Sequence, residues 1–321
     1  MSEQTNIQDF SKTYEEIRNL MNQFLVGKDH LIELITIALL SDGHILIQGV
    51  PGTAKTTLAK AYARLLGYTF SRVQCAVDTQ PSDILGLRWY NQETKDFSLW
   101  KGPIFSNILL IDELNRLNPR TQSAFVEAMS ERQVTIDGET HRLSEPFFVM
   151  ATQNPYEFEG TFPLIEAQKD RFMYSFISGY LNRDDELEVI RRLHQGKLDW
   201  DAYVAMLDAY AGTIDLRSLR YTVASVYCDE RVAHYIRDLV LATREHGDIA
   251  LGASTRASIA FYKGSKVVAA LHGRDFVTPD DVREIALNIL HHRLILRREA
   301  EIAGVTIDSV IRDIIGSVEV P

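Results

Sequence analysis

The feature that most constrains this sequence is Gly-Val-Pro-Gly-Thr-Ala-Lys-Thr at residues 49–56. The apolar run 44–48 before it is typical of a buried strand, and residues 55–66 after it have the composition of a helix. Glycines in such a strand–turn–helix let backbone N–H groups approach a phosphate, which the helix N-terminus also favours. The stretch therefore predicts a phosphate-binding loop in which Lys55 reaches the β- and γ-phosphates and Thr56 holds Mg²⁺.

Composition narrows the class of protein. The 321 residues can form one large domain or two modest ones, and 34 basic against 44 acidic residues give a net charge of −10. An acidic surface repels nucleic acid and anionic membrane, which argues against a nucleic-acid motor. Cys75 and Cys228, the only cysteines, indicate neither a disulfide scaffold nor a zinc site. With no signal peptide and no run of about 20 apolar residues, we expect a cytoplasmic protein without membrane insertion.

Two further apolar runs end in polar residues. The run 104–111 leads to Asp112 and Glu113, and the run 147–152 leads to Asn154. Both are predicted to be buried parallel strands, which would place these side chains at the carboxyl edge of a sheet, where ligands bind. Asp112 could then hold Mg²⁺ and Glu113 could act as general base, whereas alone the pair would indicate only a solvated strand end. Asn154 could bind the attacking water or the γ-phosphate. Alternatively, its side chain could form an Asx turn before Pro155, and the turn and the binding role could also coexist.

The rest of the chain predicts an αβα domain followed by helices. Further predicted elements before residue 180 are helices 13–25 and 28–40, a strand 68–74, a short helix from 81 to 86, a hairpin 87–100 around 91–95 and a hairpin 132–143 at Asp137-Gly138. Later predicted helices are 184–194, 202–211, 231–245, 255–271 and 279–298, with no further clear strand. We therefore predict an α/β nucleotide-binding core at 1–180, interrupted by an insert at 78–100, and an all-helical lid at 181–321 packed directly on it.

Five ordered motifs carry a resemblance to a known family. They are residues 49–56, Leu-Ile-Asp-Glu-Leu-Asn-Arg at 110–116, Ala-Thr-Gln-Asn-Pro at 151–155, Glu-Ala-Gln-Lys-Asp-Arg-Phe at 166–172 and Gly-Ala-Ser-Thr-Arg-Ala at 252–257. Together they resemble the MoxR family of AAA+ ATPases over nearly the whole chain. Taken alone, Arg171 in the fourth motif would be an ordinary surface salt-bridge residue.

The resemblance implies roles for the matching positions. Walker B corresponds to Asp112 and Glu113, sensor 1 to Asn154, and the arginine finger offered to a neighbouring subunit to Arg171. Arg256 corresponds to sensor 2 on the lid, so that one ATP would be held between Lys55 and Arg256. The Walker A loop, implied to contact the nucleotide, comprises Gly49, Pro51, Gly52, Thr53, Ala54, Lys55 and Thr56. ATP and Mg²⁺ are the implied cofactors, with Thr56 and Asp112 as metal ligands.

Four positions depart from a strict pattern. Ala54 replaces the glycine that a strict phosphate loop has before its lysine, as is common in the family. Ile165 and Thr255 stand where the family often has proline, and Lys169 stands where it usually has leucine. Lys169 places a second cation near Arg171, and either could supply the finger.

The family implies a ring motor, most often a hexamer, that assembles or activates client complexes. Such clients are often metalloenzymes, and a partner with a von Willebrand factor A domain is common. The inserts 78–100 and 132–143 could contact the client or only bridge subunits.

A magnesium-chelatase-like motor, a nucleic-acid-remodelling motor and a non-hydrolysing nucleotide-gated scaffold remain alternatives. A GTPase lacks support, because the chain has no Asn-Lys-x-Asp type motif. His291-His292 is expected to be structural, because adjacent residues on a helix face different directions.

Overall fold

The computed structural model of the chain describes residues 6–50, 54–93, 95–155 and 160–321. Helices of the first part are α1 (Ile7–Phe24), α2 (Asp29–Leu40), α3 (Lys55–Leu65), α4 (Pro81–Leu85), α5 (Pro119–Glu131) and α6 (Glu166–Lys169). Its strands are β1 (Ile45–Gly49), β2 (Phe70–Gln74), β3 (Gly86–Asn91), β4 (Asp96–Lys101), β5 (Ile108–Asp112), β6 (Gln133–Ile136), β7 (Glu139–Arg142), β8 (Phe148–Gln153) and β9 (Tyr174–Ser178).

Helices dominate the second part. They are α7 (Arg183–His194), α8 (Trp200–Tyr210), α9 (Leu216–Ser225), α10 (Glu230–Glu245), α11 (Thr255–Leu271), α12 (Pro279–Glu284), α13 (Ala286–Leu290), α14 (Arg298–Ile302) and α15 (Ile307–Ser317). Two short strands, β10 (Ile249–Leu251) and β11 (Ile295–Leu296), pair antiparallel among them. Among the helices within the described ranges, none combines the length and apolarity needed to cross a membrane.

Five strands form the predicted parallel sheet, in the order β2-β5-β8-β1-β9. Every residue of β5 is buried, as expected for a strand covered by helices on both faces. Because all five strands run in the same direction, their carboxyl ends lie at one edge. Gly49, Asp112 and Gln153, the last residues of β1, β5 and β8, are therefore neighbours at that edge.

Gly49 allows β9 to pair with β1. A Cβ built on Gly49 would lie 2.1 Å from the carbonyl oxygen of Ser178, with which it is in register. The glycine at the start of the phosphate loop is thus also required by the sheet. The sequence interpretation did not predict β9, an edge strand in which Ser175 and Ser178 interrupt the apolar pattern.

Both predicted hairpins form. Strands β3 and β4 pair antiparallel, as do β6 and β7, and Asp137 and Gly138 both have positive φ, as a tight two-residue hairpin turn requires. The predicted short helix before the first hairpin is α4. An ion pair of 2.7 Å between Arg88 and Glu139 joins the two hairpins.

Four lid helices, α7, α8, α10 and α11, match predicted helices with ends within two residues. The continuous helix predicted over 279–298 is wrong, because the chain breaks at Ile285 and contains β11 before α14. Helices α9 and α15 were not predicted, and neither was the small β10–β11 sheet. That sheet is the exception to an otherwise helical second part.

The two parts share one hydrophobic core. One cluster of buried side chains runs from α1 and α2 across a face of the sheet to the lid helices, including Phe10, Ile35, Ile47 and Phe261. A second cluster covers the opposite face, between the sheet and α5. This continuity agrees with the expectation that core and lid pack directly, while the boundary near residue 180 stays a prediction.

Candidate active site

A cavity of about 370 Å³ opens at the carboxyl edge of the sheet. Its lining includes most of the residues that the sequence interpretation assigned to one site: Gly49, Ala54, Lys55, Thr56, Asp112, Glu113 and Asn154. Thr57, Arg72, Gln74 and Thr152 complete the lining. Three loop residues assigned to nucleotide contact, Pro51, Gly52 and Thr53, lie outside the described residues. Strand ends from β1, β5 and β8 thus converge around one pocket.

Lys55, the first residue of α3, is only 8% exposed. Its Nζ donates to the carbonyl oxygen of Gly49 at 3.4 Å. Burial lowers the pKa of its ammonium from the ordinary value, while the carboxylates of Asp112 and Glu113 oppose that shift. The helix N-terminus and a partly desolvated ammonium together favour binding of an anion such as a phosphate.

Ala54 occupies a backbone conformation that glycine prefers. Its φ of 61° and ψ of 20° lie in the left-handed region, where a side chain costs about 1 kcal/mol or more. The departure from the strict loop pattern therefore adds backbone strain at the residue immediately before α3. Strain of this kind is often found at functional sites.

Asp112 is 9% exposed, and both oxygens of its carboxylate are engaged. Arg72 Nε donates to Oδ2 at 2.6 Å, and Thr152 Oγ1 donates to Oδ1 at 3.3 Å. Arg72 lies on β2 next to β5, and sequence reasoning missed it. Its position two residues before the end of a predicted strand was the only available signal.

Glu113 leaves the strand through a sharp turn. Its φ of 59° and ψ of 51° are left-handed, and its backbone N–H donates to Thr152 Oγ1 at 2.9 Å. The side chain forms an ion pair of 2.7 Å with Arg116 Nε. This turn brings two consecutive carboxylates to the same pocket, although successive strand residues would point to opposite faces.

The pocket suits a magnesium ion bound to a nucleotide. Mg²⁺ prefers hard oxygen ligands and is usually held by one or two protein oxygens together with substrate phosphates and water. The Thr56 hydroxyl and the Asp112 carboxylate are such oxygens, and both line the cavity. These residues therefore fit the predicted metal role.

Arg171 and Arg256 line a different cavity, of about 360 Å³, together with Asp170, Lys263 and Arg293. Asp170 organises it by accepting from Arg256 Nη1 at 3.4 Å and from Arg293 Nε at 2.9 Å. Arg171 itself donates to the Ser130 hydroxyl. Among the described residues, Arg256 and Lys55 line separate cavities, so the contact of both with one ATP stays a prediction.

The adjacent histidines have separate structural partners. His292 is buried between Ser175 Oγ and the Phe172 carbonyl oxygen, each 2.9 Å from a ring nitrogen. Burial holds its pKa well below the ordinary value. His291 Nε2 instead lies 3.5 Å from Asp308 Oδ1. The two rings therefore do not converge on a common point.

Family models match the two parts of the chain separately. Residues 44–174 match the ATPase family associated with various cellular activities (AAA), and residues 241–314 match the AAA lid domain. The first match includes the cavity residues from Lys55 to Asn154. The second includes Arg256.

Full-length relatives and a solved structure extend this similarity. YeaC of Bacillus subtilis is 42% identical over 94% of this chain and 92% of its own length. Chaperone MoxR1 of Mycobacterium tuberculosis is 38% identical over 94% of this chain and 80% of its own length. A Cytophaga hutchinsonii crystal structure, described as that of a candidate ATPase, superposes with a TM-score of 0.87 at 38% identity, covering 98% of both chains.

Proposed function

Because this chain belongs to the MoxR family of AAA+ ATPases, we propose that it binds MgATP at the carboxyl edge of its sheet and hydrolyses it. The observation that carries the proposal is the single cavity shared by Lys55, Thr56, Asp112, Glu113 and Asn154. An ammonium, a hydroxyl, two carboxylates and an amide are the groups that phosphoryl transfer to water needs.

Each side chain has a distinct task in this proposal. Lys55 binds the β- and γ-phosphates, and Thr56 and Asp112 hold Mg²⁺, which neutralises phosphate charge when bound. Glu113 takes the proton of the attacking water, and Asn154 orients that water or the γ-phosphate. The ion pair with Arg116 fixes the position of the Glu113 carboxylate beside the cavity.

We further propose that Arg171 and Arg256 act on the nucleotide of a neighbouring subunit. They line a shared cavity with Lys263, away from Lys55 of their own chain. Guanidinium groups remain charged and bind phosphate oxygens in a bidentate manner, which suits contact with a γ-phosphate. Arg171, rather than Lys169, is the proposed finger because it lines the same cavity as Arg256. Each active site would then be completed only in an assembled ring, which we propose to be a hexamer.

The proposed biological role is that of a cytoplasmic chaperone for client complexes, often metalloenzymes, working with a von Willebrand factor A domain partner. A relative bearing the name Chaperone MoxR1 supports this role. The β3–β4 hairpin supports client contact, because Leu87, Trp89 and Trp100 are 46%, 44% and 69% exposed. Leu87 and Trp100 are directly paired across the strands, so they share one apolar face.

Glu113→Gln tests the proposed chemistry. The amide cannot accept the proton of water, so we expect MgATP binding to persist while hydrolysis falls at least ~10²-fold. Glu127→Gln, on the exposed side of α5, is the matched control and should retain full activity. Hydrolysis at the wild-type rate in Glu113→Gln would refute the assigned base.

The same variant tests the client role. Glu113→Gln loaded with MgATP should retain its client during a pull-down from native lysate. Recovery of a von Willebrand factor A protein together with a metalloenzyme would support the chaperone role. Nuclease-resistant recovery of nucleic acid or replication factors would contradict it and favour a nucleic-acid motor.

A further inference from the structure

Strand β2 places two polar side chains at the nucleotide cavity. Gln74 is in register with Asp112, while Arg72 is in register with Leu110, two residues earlier. The Arg72 side chain reaches forward along the sheet, with Nε 2.6 Å from Asp112 Oδ2 and Nη2 2.8 Å from Gln74 Oε1. One guanidinium is therefore fixed from two sides, in contact with the carboxylate proposed to bind Mg²⁺.

The two partners differ in their freedom to move. The Asp112 side chain is only 12% exposed, whereas that of Arg72 is 46% exposed. A carboxylate so little exposed needs a nearby cation or hydrogen-bond donors, because burying it unpaired is costly. A half-exposed arginine can leave such a pair at modest cost, because water solvates its charge.

Competition for one oxygen follows from these contacts. Thr152 holds Asp112 Oδ1, so the carboxylate presents Oδ2 towards Arg72. A divalent cation that binds Oδ2 competes with the guanidinium for that oxygen, because the close approach of two cations is electrostatically unfavourable. Gln74 can retain the displaced side chain beside the cavity through its bond to Nη2.

We propose that Arg72 is a positioning residue that holds Asp112 and yields it to Mg²⁺, thereby setting how strongly the cavity prefers MgATP over metal-free ATP. This inference rests on the proposed ATP site and adds a control on its metal dependence. Without Mg²⁺, Arg72 neutralises Asp112 and limits its repulsion of the triphosphate. With Mg²⁺, the same residue weakens metal binding because its guanidinium competes for Asp112 Oδ2.

Binding of a non-hydrolysable ATP analogue, AMP-PNP, tests the proposal by calorimetry on the full chain. The measured quantity is the Kd in EDTA divided by the Kd in excess Mg²⁺. In Arg72→Ala the Kd measured in EDTA should increase, because Asp112 has lost its cationic partner. The Kd measured in Mg²⁺ should stay the same or decrease, because Arg72 no longer competes with the metal for Oδ2. We expect the ratio to rise about tenfold or more over the wild-type ratio, the size expected for loss of a hydrogen bond to a charged group.

Three variants separate this effect from loss of structure. Arg72→Lys keeps the charge and should restore a ratio close to the wild type. Gln74→Ala releases one end of Arg72 and should raise the ratio less than Arg72→Ala does. Arg64→Ala removes an exposed arginine of α3, whose partner Asp208 is 3.7 Å away, and should leave the ratio unchanged.

A double-mutant comparison addresses the shared oxygen directly. In an Asp112→Asn background, replacing Arg72 by Ala should produce little further change in the ratio, because the contested carboxylate is absent. An unchanged ratio in Arg72→Ala alone would overturn the inference. If the ratio stays unchanged because both Kd values increase by the same factor, Arg72 is a phosphate ligand instead. Failure of the wild-type chain to bind AMP-PNP would instead refute the proposed ATP site.

Discussion

At the scale of single residues, the cavity gathers side chains whose backbones are under constraint. Ala54 and Glu113 are both left-handed, with φ of 61° and 59°; Ala54 immediately precedes α3 and Glu113 immediately follows β5. Such conformations persist only where surrounding contacts compensate. Here they allow a helix N-terminus and two adjacent carboxylates to face one pocket.

Ala54→Gly should stabilise the fold. Glycine adopts a left-handed backbone without the steric cost of a Cβ, although its unfolded state has more entropy, so we expect a gain of up to ~1 kcal/mol. Urea unfolding measures it. Ala205→Gly, within α8, is the matched control and should instead cost about 1 kcal/mol. Equal destabilisation by both substitutions would contradict the strain assigned to Ala54.

Individual residues also show what the sequence could predict. Asp112 and Glu113 were assigned to the pocket because an apolar run delivers them to a sheet edge. The Arg72–Asp112 pair was not predictable, since it depends on β2 lying beside β5 in a particular register. The Arg256–Asp170 pair, 3.4 Å apart, joins residues from the two parts of the chain, which no local pattern reports.

At the scale of elements, the sequence predicted those turns and loops whose conformation is determined by adjacent residues. The hairpin turn at Asp137-Gly138 and the Gly-rich loop before α3 are encoded by adjacent residues. Strand β9 is specified instead by β1, more than a hundred residues earlier, through register pairs such as Ile45 with Tyr174. The break at Ile285 carries neither Pro nor Gly, so the apolar pattern appeared to continue through it.

Gly49→Ala tests the contact between β1 and β9. The added methyl would meet the Ser178 carbonyl oxygen at 2.1 Å, so the strands must separate. We expect a loss of roughly 1–3 kcal/mol in unfolding free energy, as for other overpacked sites. Gly316→Ala, in α15 with nothing within 4 Å, should be neutral or stabilising. Unchanged stability in Gly49→Ala would refute the close approach.

At the scale of the whole molecule, the proposed site is divided between two subunits. Arg171→Ala should lower ATP hydrolysis by on the order of 10³ to 10⁵, the range for a finger supplied in trans. Lys55→Ala should also be inactive, because it loses its own phosphate contact. Mixing the two variants should recover activity, since a Lys55→Ala subunit can offer Arg171 to a neighbour with an intact Lys55.

The mixing experiment needs a control for assembly. A mixture of Arg171→Ala with Arg171→Ala,Lys55→Ala contains no intact finger and should stay inactive at every ratio. Co-assembly can be followed by energy transfer between differently labelled variants. Absence of recovered activity in rings shown to contain both single variants would refute action in trans.

The continuous core has a mechanical consequence. The same buried cluster includes residues of α1, α2, β1 and the lid helices. Movement of the lid relative to the first part of the chain would therefore expose buried apolar surface to water. Exposing roughly 400 Å² of it would cost about 10 kcal/mol. In the proposed ring, each subunit would then move largely as a rigid body, and displacement produced by ATP hydrolysis would occur mainly between neighbouring subunits, where Arg171 and Arg256 are proposed to act.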